Sequence, residues 1–291
     1  TQNLSNGAMK RAISALKICK RKLDYHNVSH MRLIATEACR RAKNSSQFIL
    51  DVERNTGLSL EIIPPSEEAR LAVISCAPLI NTTSEQILVI NIGGGSTELI
   101  WVDLRNVEPC FRKKALSEIK LKLKGKRDNH GAEVVDWISV PLGVVTLKDQ
   151  YKDVDEDLAQ FALMACHFEE CLSTFKPYRE LLDQKSDYFQ MIGTSGTITT
   201  IGASFLNLKK YDRNLVDGLE LSTAQVLSVI QKYLNLGPIG RADDKSIGKE
   251  RQELIMSGAA ILQTVLRLWP TNKLSIADRG LREGLLFSLI T

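Results

Sequence analysis

The sequence predicts an α/β fold, because two of its features favour that class. Apolar segments of strand length alternate with segments whose apolar residues recur at helical spacing. Two loops rich in glycine and hydroxyl residues each follow an apolar strand segment. The chain has 291 residues, of which 44% are hydrophobic and 25% are charged, a balance typical of a folded protein of about two domains.

The N-terminal part of the chain alternates between helix and strand signals. Asn44 to Ser46 can cap a helix that Gly57 ends, and Pro64-Pro65 closes the strand that follows. Ser66, followed by two acids, is typical of a helix start. In order, the predicted elements are helix 4–23, strand 30–36, helix 38–42, helix 47–56, strand 58–63 and a helix from 66.

In the middle of the chain, two strand signals flank a run of three glycines. The segments 87–92 and 97–102 are rich in β-branched and apolar residues, so the residues from Gly93 to Ser96 are predicted to form a turn. Pro141 to Gly143 is predicted to form another turn. The remaining predicted elements are strands 134–140, 188–192 and 274–277, and helices 155–175, 198–206, 222–234, 251–268 and 280–290.

Charge and cysteine content narrow the class of protein. The 38 basic residues exceed the 34 acidic ones by four, an excess too small to require nucleic acid as a partner. No segment approaches the ~18 consecutive apolar residues of a membrane-spanning helix, and the N-terminal residues lack the apolar region of a signal peptide. The six cysteines are scattered without a C-x-x-C pair, which favours free thiols in a reducing compartment. A cytoplasmic protein is therefore expected.

Basic residues concentrate in one segment of the chain. Between Arg112 and Arg127, eight basic residues accompany a single acid, Glu118. Such a run most often forms a solvated face, and binding of a polyanion is the alternative. In an extended conformation, four lysines would lie on one side of the segment: Lys120, Lys122, Lys124 and Lys126.

Two loops contain residues suited to binding an anion. The segment Asn91 to Glu98 contains three consecutive glycines, which let the backbone approach a ligand and turn its N–H groups inward, and Ser96 and Thr97 add side-chain donors. The segment Gly193 to Thr197 leads into a helix N-terminus, which favours anions. Neither segment is a Walker A loop or a dinucleotide fingerprint. For either loop alone, a tight hairpin or a helix cap is the alternative.

Six short segments, taken in order, carry a resemblance to a known family. They are Thr36–Asn44, Ser66–Leu71, Asn91–Glu98, Pro141–Gly143, Gly193–Thr197 and Asp278–Gly284. Together they resemble the exopolyphosphatase / guanosine-pentaphosphate phosphohydrolase family, a branch of the actin and sugar-kinase superfamily. The resemblance implies an α/β fold of two ribonuclease-H-like (actin-like) domains flanking a cleft. We expect the two glycine loops to converge from opposite lobes on one anion in that cleft.

The resemblance also implies how the domains divide the chain. The first domain would cover residues 1–75 and be completed by the C-terminal helix 278–291. The second would cover residues 76–277, with a basic insertion near 104–131. The family begins with a phosphate loop on a first hairpin, and no such segment precedes Thr1. The first domain is therefore expected to be N-terminally incomplete.

Individual residues acquire roles from the same resemblance. Glu68 matches the family glutamate that orients or deprotonates the attacking water, and Arg40 matches an arginine whose guanidinium can pair with phosphate oxygens. Glu98 matches an acid that helps to hold Mg²⁺. Asn91 stands where the family usually has Asp, so the expected metal site lacks one negative charge. The phosphate-binding residues implied are Gly93, Gly94, Gly95, Ser96, Thr97, Gly193, Thr194, Ser195, Gly196, Thr197 and Arg251.

The expected function is hydrolysis of the terminal phosphoanhydride bonds of polyphosphate by Mg²⁺-assisted attack of water, with guanosine pentaphosphate as a second substrate. A polyphosphate- or alarmone-binding module with little turnover is the alternative, motivated by Asn91 and the absent first loop. A small-molecule kinase of the same superfamily is a third interpretation. No specific nucleic acid and no membrane are expected as partners, and a homodimer is left open.

Overall fold

A computed structural model describes residues 3–121, 125–126, 131–179 and 188–290. The chain divides into two compact units. The smaller unit is Thr1–Glu68 with Leu289–Thr291, and the larger unit is Ala69–Ser288. The domain boundaries that the resemblance implies stay a prediction.

The smaller unit is built around a core between its first and third helices. Phe48, Val52 and Leu58 are buried there, and one face of the first helix packs against them. Gly57 ends the third helix in the left-handed conformation, with φ 68°, as predicted. The two short strands are parallel and pair over two residues each, so they are shorter than the predicted strands 30–36 and 58–63. The elements are α1 Asn6–Tyr25, β1 Ile34–Ala35, α2 Glu37–Arg41, α3 Ser45–Thr56, β2 Glu61–Ile62 and the start of α4 Pro65–Cys76.

The larger unit contains a mixed sheet that is six-stranded within the described residues, in the order β5-β4-β3-β6-β8-β7. Strands β3, β6 and β8 are parallel, whereas β4, β5 and β7 pair antiparallel with their neighbours. The predicted strand, glycine turn and second strand are confirmed in the β3–β4 hairpin. The strand bounds are β3 Gln86–Ile92, β4 Thr97–Asp103, β5 Glu133–Val140, β6 Phe189–Thr194, β7 Glu220–Leu221 and β8 Leu274–Ala277.

Helices cover the sheet of the larger unit. Successive residues of β3 alternate between two buried clusters: Leu88 and Ile90 contribute to one, and Ile87 and Val89 to the other. Both faces of the sheet are therefore apolar and covered. The helix bounds are α5 Arg112–Ser117, α6 Val144–Gln150, α7 Asp157–Glu170, α8 Lys176–Arg179, α9 Gly196–Phe205, α10 Arg213–Val216, α11 Thr223–Asp243, α12 Ile255–Leu268 and α13 Leu281–Ile290.

Two helices differ from the sequence prediction in ways that affect the functional site. Helix α6 was not predicted, because it is short and starts with β-branched residues that favour strands. The predicted helix 251–268 starts later, at Ile255, where the buried residues of α12 begin. Arg251 lies instead in a turn, in which its N–H donates to the carbonyl of Gly248.

The basic segment is only partly described. Its first residues form α5, in which Arg112 is buried and donates to the carbonyls of Val107, Thr82 and Ser84. At least this arginine is therefore structural rather than part of a solvated face. Lys122, Lys124 and Arg127 lie outside the described residues, so the predicted row of lysines stays a prediction. Among the helices that the structure describes, none is long and apolar enough to cross a lipid bilayer.

Candidate functional site

The carboxyl ends of β3, β6 and β8 meet at one edge of the sheet. Asn91 of β3 is in register with Thr194 of β6, and Thr194 is in register with Ala277 of β8. Each of these strands is followed by a loop that contains glycine. This placement corrects one expectation, because both predicted glycine loops belong to the larger unit and do not come from opposite lobes. Their strands are parallel neighbours, which brings both loops to the same edge.

The first loop is a tight turn of three glycines, Gly93 to Gly95, which we call the triglycine turn. The N–H of Gly93 donates to the carbonyl of Ser96, 2.9 Å away. The carbonyls of Gly93 and Gly94 accept hydrogen bonds from the first N–H groups of α6, at 3.0 and 2.9 Å. The N–H groups of Gly94, Gly95 and Ser96 donate to no residue in the described ranges. The turn therefore has its carbonyls occupied and its N–H groups available, the arrangement that binds an anion.

Gly143 explains how α6 approaches the triglycine turn so closely. A Cβ atom on Gly143 would lie 2.6 Å from the carbonyl oxygen of Gly94 and closer still to that of Gly93. Any other residue at this position would push α6 and the turn apart. The sequence indicated a turn at Gly143, but gave no signal of this contact.

The second loop places an arginine at the start of a helix. Ser195 has the left-handed φ of 128° and is followed by Gly196, the first residue of α9. A Cβ atom on Gly196 would lie 2.7 Å from Nη2 of Arg251 and closer to the other guanidinium atoms. The guanidinium therefore lies against the backbone of Gly196, and a side chain at this position would displace it. The Arg251 guanidinium and the N-terminus of α9 both favour the binding of an anion, and they lie side by side here.

Both loops border one cavity of about 390 Å³, which we call the first cavity. All of its lining residues belong to the larger unit. They are Asn91, Ile92, Gly93, Gly94, Val144, Ser195, Gly196, Thr197, Glu250, Arg251, Leu254 and Ile255. The cavity is therefore a place where one anion can meet donors from both loops.

A model of the Ppx/GppA phosphatase family matches residues 1–291. The chain belongs to the Ppx/GppA phosphatase family. This chain is similar to a crystal structure of the Aquifex aeolicus family member. The match covers 100% of this chain and 83% of the other, with 26% sequence identity and a TM-score of 0.75. It is also similar to a crystal structure of an exopolyphosphatase from Cytophaga hutchinsonii. That match covers 100% of this chain and 84% of the other, with 21% sequence identity and a TM-score of 0.80. The predicted family, the α/β class and the two-domain actin-like fold are thereby confirmed.

In this Ppx/GppA phosphatase, the predicted phosphate-binding residues fall into two groups. Those that line the first cavity are Gly93, Gly94, Ser195, Gly196, Thr197 and Arg251. Those that do not line it are Gly95, Ser96, Thr97, Gly193 and Thr194.

Three hydroxyls of the second group already donate hydrogen bonds within the protein. Ser96 donates to Glu98 at 2.7 Å, Thr97 donates to the carbonyl of Leu142 at 2.8 Å, and Thr194 donates to the carbonyl of Arg279. The expectation that the Ser96 and Thr97 hydroxyls bind a phosphate is corrected accordingly, because both side chains turn into the fold. Their contribution to the site is to fix the shape of the loops.

Asn91 and Glu98, the residues expected to hold Mg²⁺, are bonded to each other. The side-chain amide of Asn91 donates to Oε2 of Glu98 at 2.8 Å. The other carboxylate oxygen accepts from Ser96 at 2.7 Å and from Ser139 at 3.1 Å. Glu98 is completely buried and does not line the first cavity.

These hydrogen bonds compete with a metal ion for the oxygens of Glu98. Mg²⁺ requires oxygen ligands in near-octahedral geometry, and both oxygens of Glu98 accept hydrogen bonds from inside the fold. Among the residues that the structure describes, no group of three His, Cys, Asp or Glu side chains could hold a metal ion. The expected metal site at Asn91 and Glu98 stays a prediction.

Arg40 and Glu68 form an ion pair inside the smaller unit. Nη2 of Arg40 lies 2.7 Å from Oε2 of Glu68, and both side chains are largely buried. The guanidinium also donates to Glu37, at 3.0 and 3.1 Å, and to the carbonyl of Ile63, at 2.9 Å. Burial acts to lower the pKa of Arg40, but the hydrogen bonds and charges of Glu68 and Glu37 outweigh it and raise that pKa.

The expectation that Arg40 pairs with phosphate oxygens stays a prediction, and its contacts within the smaller unit compete with that role. Every nitrogen of its guanidinium already donates within the smaller unit, so bidentate binding of a phosphate would break existing bonds. Arg40 instead holds the carboxylate of Glu68 in one orientation. The sequence indicates only the contact with Glu37, because Glu37 and Arg40 share one face of a helix turn.

Proposed function

We propose that this Ppx/GppA phosphatase hydrolyses the terminal phosphoanhydride bond of linear polyphosphate. The observation that carries the proposal is the lining of the first cavity. The triglycine turn offers N–H donors on one side, and the Arg251 guanidinium lies against the N-terminus of α9 on the other. Such donors bind the charged oxygens of a phosphate group more strongly than those of an uncharged ligand.

The reaction requires positioning and charge stabilisation more than a covalent intermediate. The oxygen of a water molecule attacks the terminal phosphorus, the bond to the bridging oxygen breaks, and the shortened chain leaves with that electron pair. Negative charge on the equatorial oxygens would be stabilised by the N–H groups of the triglycine turn and by Arg251. Fixed donors of this kind need no rearrangement during the reaction.

Glu68 supplies the carboxylate that orients the attacking water in this proposal. The assignment comes from the resemblance of its segment to the family motif. Two observations within the smaller unit support it: the side chain is largely buried, and Arg40 fixes one of its oxygens. A carboxylate held in one orientation can accept a hydrogen bond from water at a defined angle.

Mg²⁺ remains part of the proposal as a component of the substrate. Polyphosphate oxygens are themselves good ligands for this cation, which binds through few protein groups at phosphate sites. Because Asn91 and Glu98 are bonded to each other, we propose that Mg²⁺ arrives as its polyphosphate complex.

Polyphosphate is preferred over guanosine pentaphosphate as the substrate. None of the described residues that line the first cavity is aromatic, so no platform for stacking a base is present there. The basic residues that follow Arg112, up to Arg127, would favour a long polyanion in addition. A cytoplasmic location, expected from the scattered cysteines, completes the proposal.

Release of orthophosphate from long-chain polyphosphate in the presence of Mg²⁺ tests the proposal. We expect release by the wild-type chain and at least a tenfold loss of rate in Arg251→Gln. Exposed Arg267 of α12 serves as a matched control, because Arg267→Gln removes the same charge away from the cavity. Faster release from guanosine pentaphosphate would contradict the substrate preference. Binding of polyphosphate without release would instead establish the binding-module alternative, which the Asn91 amide favours.

A further inference from the structure

A second cavity of about 220 Å³ adjoins the first one. It shares Asn91, Ser195, Gly196 and Arg251 with the first cavity. Its other wall is formed by the loop 278–280, which follows β8, and by the first turn of α13. The first cavity thus lies between the loops after β3 and β6, and the second between the loops after β6 and β8.

The first turn of α13 presents backbone donors to this second cavity. The N–H of Gly280 donates to Oε2 of Glu283 at 2.8 Å, so the start of the helix is fixed by its own side chain. The N–H groups of Leu281, Arg282 and Glu283 donate to no other residue that the structure describes. A helix with ten residues carries a dipole whose positive end lies at these N–H groups.

The carboxylates that line the second cavity are already close to a basic side chain outside its lining. The carboxylate of Asp278 accepts a hydrogen bond from the Tyr211 hydroxyl at 2.7 Å. The guanidinium of Arg213 lies 3.6 Å from the carboxylate of Asp278 and 3.5 Å from that of Glu283. The two lining carboxylates are therefore compensated.

The arginines that line the second cavity differ in their partners. Arg279 is paired with Asp217, with 2.7 Å between Nη2 and the carboxylate. In contrast, the side chains of Arg251 and Arg282 form no hydrogen bond or ion pair with the residues described here. Available positive charge thus stands on both sides of the cavity.

Ser195 supplies independent evidence that a polar ligand belongs between the two cavities. Its Oγ is buried and has no hydrogen-bond partner among the described residues. Buried hydroxyls in native proteins nearly always have a partner, so this one is available to a polar ligand or to water. Ser195 also holds a left-handed backbone conformation, which is rare for serine and is found more often at functional sites than elsewhere.

We propose that the second cavity binds an inner phosphate group of the same polyphosphate chain whose terminal phosphate occupies the first cavity. Arg282, the first N–H groups of α13 and the Ser195 hydroxyl bind that inner group, and Arg251 contacts the chain between the two. This subsite rests on the proposed function and specifies its substrate class as an anion with several linked phosphates. A single orthophosphate occupies the first cavity alone.

Equilibrium binding, followed by calorimetry, tests the subsite without any hydrolysis. The probes are orthophosphate and long-chain polyphosphate, and the proteins are the wild type, Arg282→Gln, Arg282→Lys and the control Arg267→Gln. We expect Arg282→Gln to weaken polyphosphate binding about tenfold and to leave orthophosphate binding unchanged. Arg282→Lys should recover part of the loss, because a lysine keeps the charge but not the bidentate geometry. Arg267→Gln should match the wild type with both probes.

Two results would overturn the subsite. One is unchanged polyphosphate binding in Arg282→Gln, and the other is an equal loss for orthophosphate and polyphosphate, which thermal unfolding would trace to a structural defect. Failure of the proposed function looks different: no phosphate is released by the wild type, while Arg282→Gln still weakens polyphosphate binding selectively. If the wild type releases phosphate and Arg282→Gln binds polyphosphate as strongly as the wild type does, the subsite is ruled out and the proposed function stands.

Discussion

The side-chain amide of Asn91 donates to the carboxylate of Glu98 across the β3–β4 hairpin, with 2.8 Å between Nδ2 and Oε2. This bond joins the two strands at the point where they enter and leave the triglycine turn. It satisfies a completely buried carboxylate without a cation. The chemistry of the site therefore depends on an amide at position 91, because a carboxylate there would face another carboxylate.

Asn91→Asp should create a need for a cation. Two carboxylates at this separation repel, and that of Glu98 is completely buried, so we expect the free energy of unfolding to fall by about 3 kcal/mol in the absence of divalent cations. Adding Mg²⁺ should raise the midpoint of thermal unfolding in Asn91→Asp but not in the wild type. The double variant Asn91→Asp, Glu98→Gln should lose the response to Mg²⁺. Equal stabilisation of the wild type by Mg²⁺ would show that Asn91 and Glu98 already hold the ion.

Gly143→Ala should distort the triglycine turn. The added Cβ would overlap the carbonyl oxygens of Gly93 and Gly94, which costs about 1–3 kcal/mol of stability and displaces the N–H donors. Chemical unfolding and orthophosphate binding measure the two effects. Gly7→Ala, within helix α1, is the matched control and should leave both unchanged or stabilise slightly, because alanine is favoured in helices. Orthophosphate binding at wild-type strength in Gly143→Ala would contradict the role given to the turn.

Arg40→Gln should lower kcat with little change in KM. In this account Arg40 orients Glu68 and does not contact the substrate, so its loss affects the water and not the binding of phosphate. We expect a decrease of about tenfold or more, with partial recovery in Arg40→Lys. Arg41→Gln removes a neighbouring, exposed arginine and is the matched control. A raised KM at unchanged kcat would show that Arg40 binds phosphate directly.

Acid should weaken the segment that carries Arg251. Asp244 begins this segment at the end of α11 and pairs with Lys232 at 2.8 Å. Burial acts to raise the pKa of Asp244, but hydrogen bonds from Lys232 and Ser246 outweigh it and hold the pKa below its ordinary value of 3.8. A lowered pKa in the folded state contributes stability above the unfolded pKa, and that stability is lost as the pH falls through the folded value.

The comparison of Asp244→Asn with the wild type measures this contribution. At neutral pH the variant should be less stable by about 1 kcal/mol, and the difference should shrink as the pH falls below 3.8. Asp243→Asn changes the exposed neighbour and should show no such convergence. A difference that stays constant down to acid pH would rule out the carboxylate as its source.

The sequence predicted the parts of the site that depend on local chemistry. Runs of β-branched residues on either side of Gly93 to Gly95 indicated a hairpin, and the hydroxyl residues before α9 indicated a helix start. Both loops could therefore be identified as anion-binding candidates from the chain alone. What local patterns could not show is that their strands are adjacent in one sheet, which is a matter of topology.

Contacts between distant residues explain the remaining differences. Gly143 and α6 matter because of carbonyls some fifty positions earlier in the chain, and α6 has little helix propensity of its own. Arg40 carries no sequence signal that distinguishes a phosphate ligand from a partner of Glu68. The conformation of Ser195 is likewise imposed by its surroundings, since serine rarely adopts a positive φ.

The central claim is that the triglycine turn and Arg251 bind one phosphate in the first cavity. A crystal structure of the protein soaked with orthophosphate tests it most directly. We predict phosphate density in that cavity, with oxygens within hydrogen-bond distance of the N–H of Gly94 and of the Arg251 guanidinium. Phosphate bound elsewhere while this cavity stays filled with water alone, or the same density in crystals of Arg251→Gln, would contradict the claim.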